Sequence, residues 1–188
     1  MKGYGQLMNR RMVLVVLGIA ALVVVAITQY ANKEADATTT GTKPKAGYPA
    51  PIVALPDLQD TAITVGGSKD KLTLINFWAA WCGPCELEAP ELQQSFKKYG
   101  DKLEILGINA TSYDRERDAR QFVVDQKLTF PILMDREGDA TTKYKVSKFP
   151  TTLMVDKNGM IVERINGIIT EEDIDRFVRQ YADANPNG

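Results

Sequence analysis

The sequence contains no histidine and only two cysteines, Cys82 and Cys85, among its 188 residues. A zinc site needs about four ligands, and two thiols without histidine do not supply them. Covalent haem attachment requires a histidine directly after the second cysteine of a Cys-x-x-Cys pair, and Glu86 occupies that position. A formal net charge of −1 gives no indication of a nucleic-acid partner. We therefore expect no metal, no other cofactor and no bound nucleic acid.

Long apolar runs are also absent, except near the amino terminus. Residues 1–11 carry three basic and no acidic residues, and residues 12–27 are all apolar or small. Extended to residue 31, this run is long enough for a membrane span or for the core of a signal peptide. The small-x-small site at Ala35–Ala37 lies well beyond the run, which favours an uncleaved anchor.

Basic residues stay on the cytoplasmic side of a membrane. We therefore predict a single-pass protein of the cell membrane, with residues 1–11 in the cytoplasm, a span at 12–31 and an extracytoplasmic catalytic domain. Residues 32–48 are rich in Thr, Ala, Lys and Gly and lack periodicity, as is typical of a flexible tether. Residues 49–184 form the predicted domain.

Within this domain, strand and helix patterns alternate. Apolar runs at Leu72–Phe77 and Leu103–Asn109 predict buried strands, and amphipathic stretches at Cys82–Tyr99 and Asp114–Gln126 predict helices. This alternation indicates parallel βαβ units and an α/β fold. Further strands are predicted at Thr61–Val65, Phe130–Met134, Thr151–Asp156 and Met160–Ile165, and a short helix at Asp139–Tyr144.

Two local motifs predict how the carboxyl-terminal part folds. Asn158-Gly159 is a strong hairpin turn sequence between the last two strands. Thr170 and Asp173 have the spacing of a capping box, which predicts a final helix from Thr170.

The two cysteines lie where an apolar strand gives way to an amphipathic helix. A thiol at a helix N-terminus is favoured as the thiolate by exposed N–H groups and by the helix dipole. A purely structural disulfide is the alternative, but a two-residue spacer closes almost no loop and stabilises little. The pattern therefore predicts a redox-active Cys82–Cys85 pair.

The segment Phe77–Cys85, with the sequence FWAAWCGPC, resembles the active-site segment of thioredoxins. Its continuation Glu86–Pro90 is similar to the membrane-anchored thioredoxin-like proteins of the TlpA/ResA type, and the resemblance extends from about Pro49 to Tyr181. It implies a thioredoxin-like fold, with a mixed central sheet flanked by helices. It also implies an N-terminal β-hairpin extension and a helix–strand insertion between Thr111 and Tyr144.

Dithiol exchange assigns distinct roles to the residues of the motif. We expect Cys82, nearer the helix end and more exposed, to attack the substrate and Cys85 to resolve the mixed disulfide. Gly83 permits close backbone approach, Pro84 stiffens the turn, and Trp81 shields the site or simply packs there.

The resemblance also suggests residues outside the motif. Phe149-Pro150 matches the segment in which thioredoxin-like proteins carry a cis-proline facing the cysteines, although only about 5–6% of X-Pro bonds are cis in general. Asn76 stands where thioredoxins place a buried aspartate. Glu88 matches a glutamate that serves the active site in ResA-type proteins, and the alternative is a solvated glutamate. Glu86 and Glu91 are expected to face solvent.

The leading functional hypothesis is an extracytoplasmic thiol–disulfide oxidoreductase that reduces protein disulfides. By resemblance, its substrates are apocytochrome c or other envelope or spore-coat proteins, and its electron donor is a membrane thiol carrier. A thiol peroxidase is one alternative, but such enzymes typically have a Pro-x-x-x-Thr-x-x-Cys run, and Ile75 and Ala79 occupy its Pro and Thr positions. A non-catalytic binding module is the other, and both cysteines being intact argues against it.

Overall fold

The computed structural model describes residues 14–23 and 43–182, which belong to two separate units of the chain. Residues 14–23 form a helix, α1, whose side chains are exposed. Across the described ranges, no helix has both the length and the apolar character needed to cross a membrane. Only part of the predicted span 12–31 falls in these ranges, and the predicted segment 1–11 lies outside them, as do residues 32–42 of the tether.

The unit from residue 43 to 182 is built around a five-stranded mixed sheet with a two-stranded antiparallel hairpin beside it. The hairpin strands are β1 (Val53–Pro56) and β2 (Ala62–Val65), and the sheet strands are β3 (Leu72–Trp78), β4 (Leu103–Asn109), β5 (Ile132–Met134), β6 (Thr151–Val155) and β7 (Ile161–Asn166). Their order across the sheet is β5-β4-β3-β6-β7. The first three are parallel, whereas β6 is antiparallel to both β3 and β7.

The helices of this unit connect and cover the strands. They are α2 (Gly83–Tyr99), α3 (Glu116–Asp125), α4 (Asp139–Lys143) and α5 (Glu171–Tyr181), with a 3₁₀ turn at Thr111–Tyr113. Because α2 joins two parallel neighbouring strands, it must cross over one face of the sheet. The predicted mixed sheet, N-terminal hairpin and helix–strand insertion are all confirmed.

The central strand β3 is buried at every position. Leu72 and Leu74 belong to an apolar cluster that also contains residues of α2, α3 and α5. Ile75 and Phe77 belong to a second cluster, formed with the β1–β2 hairpin and α4. Two apolar layers therefore cover β3, as expected for a continuous apolar run in a strand.

Several element boundaries differ from prediction by one or two residues, and two of these differences have identifiable reasons. Strand β5 begins at Ile132 rather than Phe130, and the intervening Pro131 has no N–H with which to join a sheet. Helix α3 begins at Glu116 rather than Asp114, because the Asp114 carboxylate accepts hydrogen bonds from Ala80 and Asn109 instead.

The two predicted local motifs are confirmed. Gly159 has a φ of +81°, in the region that glycine adopts without strain, and it completes the turn between β6 and β7. Thr170 and Asp173 form the reciprocal hydrogen bonds of a capping box at the start of α5.

The last residues of the predicted tether are bound to the sheet. The N–H of Gly47 donates to the carbonyl of Ile161 at 2.8 Å, and the N–H of Ile161 donates to the carbonyl of Tyr48 at 2.9 Å. The Arg164 guanidinium also donates to the carbonyl of Pro44 at 2.9 Å. Residues 44–48 therefore run along the outer edge of β7.

Candidate active site

The two cysteines form a disulfide at the N-terminus of α2. Cys82 is the N-cap residue, and its Sγ accepts a hydrogen bond from the N–H of Cys85 at 3.2 Å. Pro84 lies in the first turn, where a missing N–H costs no helix hydrogen bond. Gly83 and Pro84 are exposed, and no atom lies within 4 Å of the position a Gly83 side chain would take. A partner thus has free access to the turn between the cysteines.

The exposed fractions of the two cysteines differ only slightly. In the disulfide form Cys82 is 4% exposed and Cys85 is 2% exposed. Cys82 is the more exposed of the two, as predicted, but the difference is small because both residues are buried. What distinguishes Cys82 is its place at the helix end, where partial positive charge favours a thiolate.

An aromatic group stands beside the cysteines. Trp81 is 63% exposed, its Nε1 donates to the carbonyl of Tyr113 at 2.9 Å, and its ring meets that of Phe149 edge-on at 5.8 Å. The Phe149–Pro150 peptide bond is cis, as the resemblance predicted. The ring contact brings the predicted site residues Trp81 and Phe149 together.

A groove of about 820 Å³ opens beside Trp81 and extends along α3 as far as Asp125. Tyr113 and Phe122 contribute aromatic surface to it. Its charged lining consists of Glu86, Asp114, Asp118 and Asp125 with Arg115. The groove is therefore aromatic at the cysteine end and predominantly acidic along its length.

Asp114 is a site residue that the sequence analysis missed. Its Oδ2 accepts the N–H of Ala80 at 2.6 Å and the Nδ2 of Asn109 at 2.8 Å. It thereby fixes the backbone two residues before Cys82 to the end of β4. One sequence signal could have indicated a site here. Asn109 ends a parallel strand, and sites in α/β sheets tend to form at the carboxyl ends of such strands.

Glu88 is buried in the protein interior, with 1% of its surface exposed. One carboxylate oxygen accepts from Asn76 Nδ2 at 2.7 Å, and the other accepts from the N–H of Ile169 at 3.1 Å. Burial raises the pKa of Glu88 from 4.5 to about 7, although these two donors partly oppose the rise. The alternative interpretation of Glu88 as a solvated glutamate is wrong.

The neighbouring glutamates behave differently from each other. Glu86 is exposed, as predicted. Glu91 was predicted to face solvent, but its Oε2 accepts the N–H of Glu171 at 3.0 Å, at the first residue of α5. The prediction for Glu91 failed because the approach of α5 to α2 is a tertiary contact that local sequence does not encode.

Comparison with known proteins places the chain in a family. Residues 46–164 match the AhpC/TSA family. The chain belongs to the AhpC/TSA family. Among curated members, the thiol-disulfide oxidoreductase ResA of Geobacillus kaustophilus (strain HTA426) is 34% identical, over 95% of this chain and 97% of the relative. The thioredoxin-like protein YneN of Bacillus subtilis (strain 168) is 36% identical, over 69% and 76% respectively.

A solved structure shares the fold of this AhpC/TSA family member. A Chlorobium tepidum protein assigned as the thiol:disulfide interchange protein DsbE superposes with a TM-score of 0.64 and 25% identity, over 73% of this chain and 97% of that chain. The chain is thus a thiol–disulfide oxidoreductase of the ResA/DsbE type. The paired cysteines at the start of α2 are consistent with this class.

The burial of Glu88 predicts how stability depends on pH. In the unfolded chain this carboxyl ionises near 4.5, whereas in the folded protein it keeps its proton until about pH 7. The folded state therefore binds more protons between these values, so stability falls as pH rises through this window. The total effect is about 3 kcal/mol.

We expect Glu88→Gln to remove this part of the pH dependence. Urea unfolding of the oxidised protein at pH 4 to 8 measures the free energy of unfolding. Between pH 4 and pH 8 this free energy should fall less in the variant than in the wild type. Glu86→Gln, which changes an exposed carboxylate in the same turn of α2, should follow the wild-type curve. An unchanged slope in Glu88→Gln would contradict the assignment.

Proposed function

We propose that this oxidoreductase works outside the cytoplasm as a membrane-anchored reductase of protein disulfides. The observation that carries the proposal is the Cys82–Cys85 pair at the N-terminus of α2, with the buried Glu88 one helical turn beyond Cys85. The relatives named as ResA and DsbE support the class of reaction.

The reaction transfers two electrons from the dithiol form to a substrate. The Cys82 thiolate attacks one sulfur of the substrate disulfide, forms a mixed disulfide and releases the other substrate sulfur as a thiolate, which takes up a proton. The Cys85 thiolate then attacks Cys82 Sγ and releases the second substrate thiol. The enzyme is left with the Cys82–Cys85 disulfide, and a dithiol donor must reduce it before another turnover.

Cys85 must lose a proton before it resolves the mixed disulfide, and the chain has no histidine to accept one. Glu88 follows Cys85 by three residues, on the same side of α2. Its pKa of about 7 matches a group that accepts and returns a proton near neutral pH. We assign Glu88 this role.

The substrate is a protein disulfide, because the surface beside the cysteines suits an extended chain. The exposed Trp81 and Tyr113 offer apolar contact, and the cis Phe149–Pro150 segment borders them. The acidic groove next to Trp81 favours substrate segments with basic side chains. Apocytochrome c, with its paired haem-site cysteines, is the substrate class that resemblance to ResA-type proteins suggests.

The location rests on the amino terminus. The apolar run at 12–31 follows three basic residues, and the similarity to the Geobacillus ResA extends over 95% of the chain. We propose that residues 1–11 are cytoplasmic, that 12–31 anchor the protein, and that a membrane thiol carrier supplies its electrons. Anchoring would keep the dithiol near such a donor.

The thiol peroxidase alternative finds no support in the structure. Ile75, at the proline position of the peroxidase run, is a buried residue of β3 paired with Leu106 and Leu153. A proline there would lack the N–H that a central strand needs. Ala79, at the threonine position, has no hydroxyl to offer a peroxide.

The first prediction tests which cysteine attacks. Cys85→Ser leaves the attacking thiol without its resolving partner, so mixed disulfides with substrates should accumulate in cells. Cys82→Ser should trap nothing and should lower insulin-disulfide reduction to background. Non-reducing gels followed by mass spectrometry measure the adducts, and trapping by Cys82→Ser alone would reverse the roles.

The second prediction is the direction of electron flow. Gly-Pro between the cysteines is the thioredoxin dipeptide, and thioredoxin has a potential of about −270 mV against about −120 mV for a strong periplasmic oxidant. That oxidant depends on a strongly stabilised thiolate. Here two glutamates follow the cysteines closely and no histidine is present, so the thiolate is less stabilised.

We therefore expect a potential below about −220 mV, measured by equilibration with glutathione or dithiothreitol buffers. A value near −120 mV would mean that the protein forms disulfides instead.

The third prediction is topological. Protease added to intact cells, or to spheroplasts if an outer membrane is present, should digest the domain while a cytosolic marker stays intact. Complete protection of the domain until the membrane is lysed would contradict the proposed location.

A further inference from the structure

A buried hydrogen-bond network links Glu88 to three elements of the fold. Asn76 of β3 donates from Nδ2 to Glu88 Oε1 at 2.7 Å and to Thr152 Oγ1 of β6 at 3.0 Å. The N–H of Ile169, just before α5, donates to Glu88 Oε2 at 3.1 Å. Asn76, Glu88 and Thr152 are 2%, 1% and 0% exposed.

We propose that Asn76 and Thr152 are positioning residues for Glu88, with Thr152 fixing the Asn76 amide and the amide fixing the carboxylate one helical turn beyond Cys85. The inference rests on the proposed function, because it explains how the residue that serves Cys85 is held. Sequence resemblance alone marked Asn76 only as a departure from thioredoxins. The structure explains this departure, because Asn76 donates a hydrogen bond to the carboxylate of Glu88 on α2.

The chemistry of the amide explains why this position is asparagine. Glu88 accepts a hydrogen bond at each oxygen, and a buried carboxylate requires such donors. The Asn76 amide has two N–H groups, and Glu88 and Thr152 accept one each. An ionised aspartate would offer no donor and would place a second acidic group against the first.

Thr152 fixes the amide by geometry rather than by charge. It pairs with Asn76 across the β3–β6 ladder, so the two side chains start from directly opposed backbone positions. With one N–H held by the Thr152 hydroxyl, the other is directed at Glu88. The carboxylate therefore keeps one orientation without relying on solvent.

The groups that titrate nearby are few. On α2 they are Cys82 and Cys85, which are joined in the disulfide form, and Glu91, which accepts from the backbone of α5. On α5, Glu171 donates its N–H to Glu91, and its own carboxylate is paired with Lys98. Asn76, Thr152 and the Ile169 N–H add no titratable group. Changing Asn76 or Thr152 therefore alters the hydrogen bonds around Glu88 without removing a charge.

The decisive variants are Thr152→Val and Thr152→Ser. Valine keeps the shape but removes the hydroxyl, so Asn76 is less firmly held and the pKa of Glu88 should rise above its wild-type value. We expect a rise of about half a unit, which lowers the ionised fraction at pH 7 from about one half to about one quarter. Serine retains the hydroxyl and should restore wild-type behaviour.

Asn76→Asp is the stronger change. Two acidic groups in contact share one proton and titrate as a pair. One carboxyl should stay protonated at least one unit above the wild-type midpoint, with exchange at pH 7 slowed at least about fivefold. Thr73→Val, another buried change on β3 and one with no side-chain bond to Glu88, is the matched control and should match wild type.

The readout is the infrared band of the protonated Glu88 carboxyl in the oxidised full-length protein, assigned by its loss in Glu88→Gln. Its titration is measured alongside the pH profile of thiol exchange. If Thr152→Val and Asn76→Asp both fold and their carboxyl band titrates as in the wild type, the proposal is overturned. If Asn76→Asp does not fold, the Thr152 pair decides alone. A shifted band with an unshifted exchange profile supports the positioning and refutes the proton role assigned to Glu88.

Discussion

The complete burial of β3 is the constraint on which the rest of the structure depends. A strand covered on both faces needs hydrogen-bonded neighbours on both edges, and β4 and β6 supply them. Because β4 is parallel, the chain must cross the sheet through α2, which starts at the carboxyl end of β3. Because β6 is antiparallel, it begins at that same end, with Phe77 opposite Thr151. The cysteines and Pro150 are therefore brought to one edge of the sheet by strand directions alone.

The same burial creates an electrostatic problem at Glu88. An ionised carboxylate in an apolar interior costs several kcal/mol unless donors compensate. The fold provides one donor from a strand and one from the backbone before α5. They compensate in part, which leaves a carboxyl poised between its two protonation states near neutral pH. A fully solvated carboxylate would be ionised at that pH, and an uncompensated one would be neutral.

Much of this architecture could be predicted from the sequence. The runs at β3 and β4 and the periodicity of α2 are local signals, and the cysteine spacing with its flanking residues was specific enough to indicate a redox site. Asp114, Thr152 and the Ile169 N–H could not be found in this way. Each acts through a partner at least 34 residues from it in sequence, such as Ala80 for Asp114. Only the packed fold shows which polar group meets which.

The attachment of residues 44–48 to β7 has a consequence for where the folded unit starts. The outer edge of a sheet exposes unpaired N–H and C=O groups, which invite pairing with other chains. Here Tyr48 and Gly47 occupy part of that edge. The Arg164 guanidinium donates hydrogen bonds to the carbonyls of Pro44, Tyr144 and Lys145. A fragment that began at Pro49 would uncover part of the β7 edge and leave Arg164 short of one acceptor. Residues 44–48 thus cover hydrogen-bonding groups at the sheet edge that another chain could otherwise pair with.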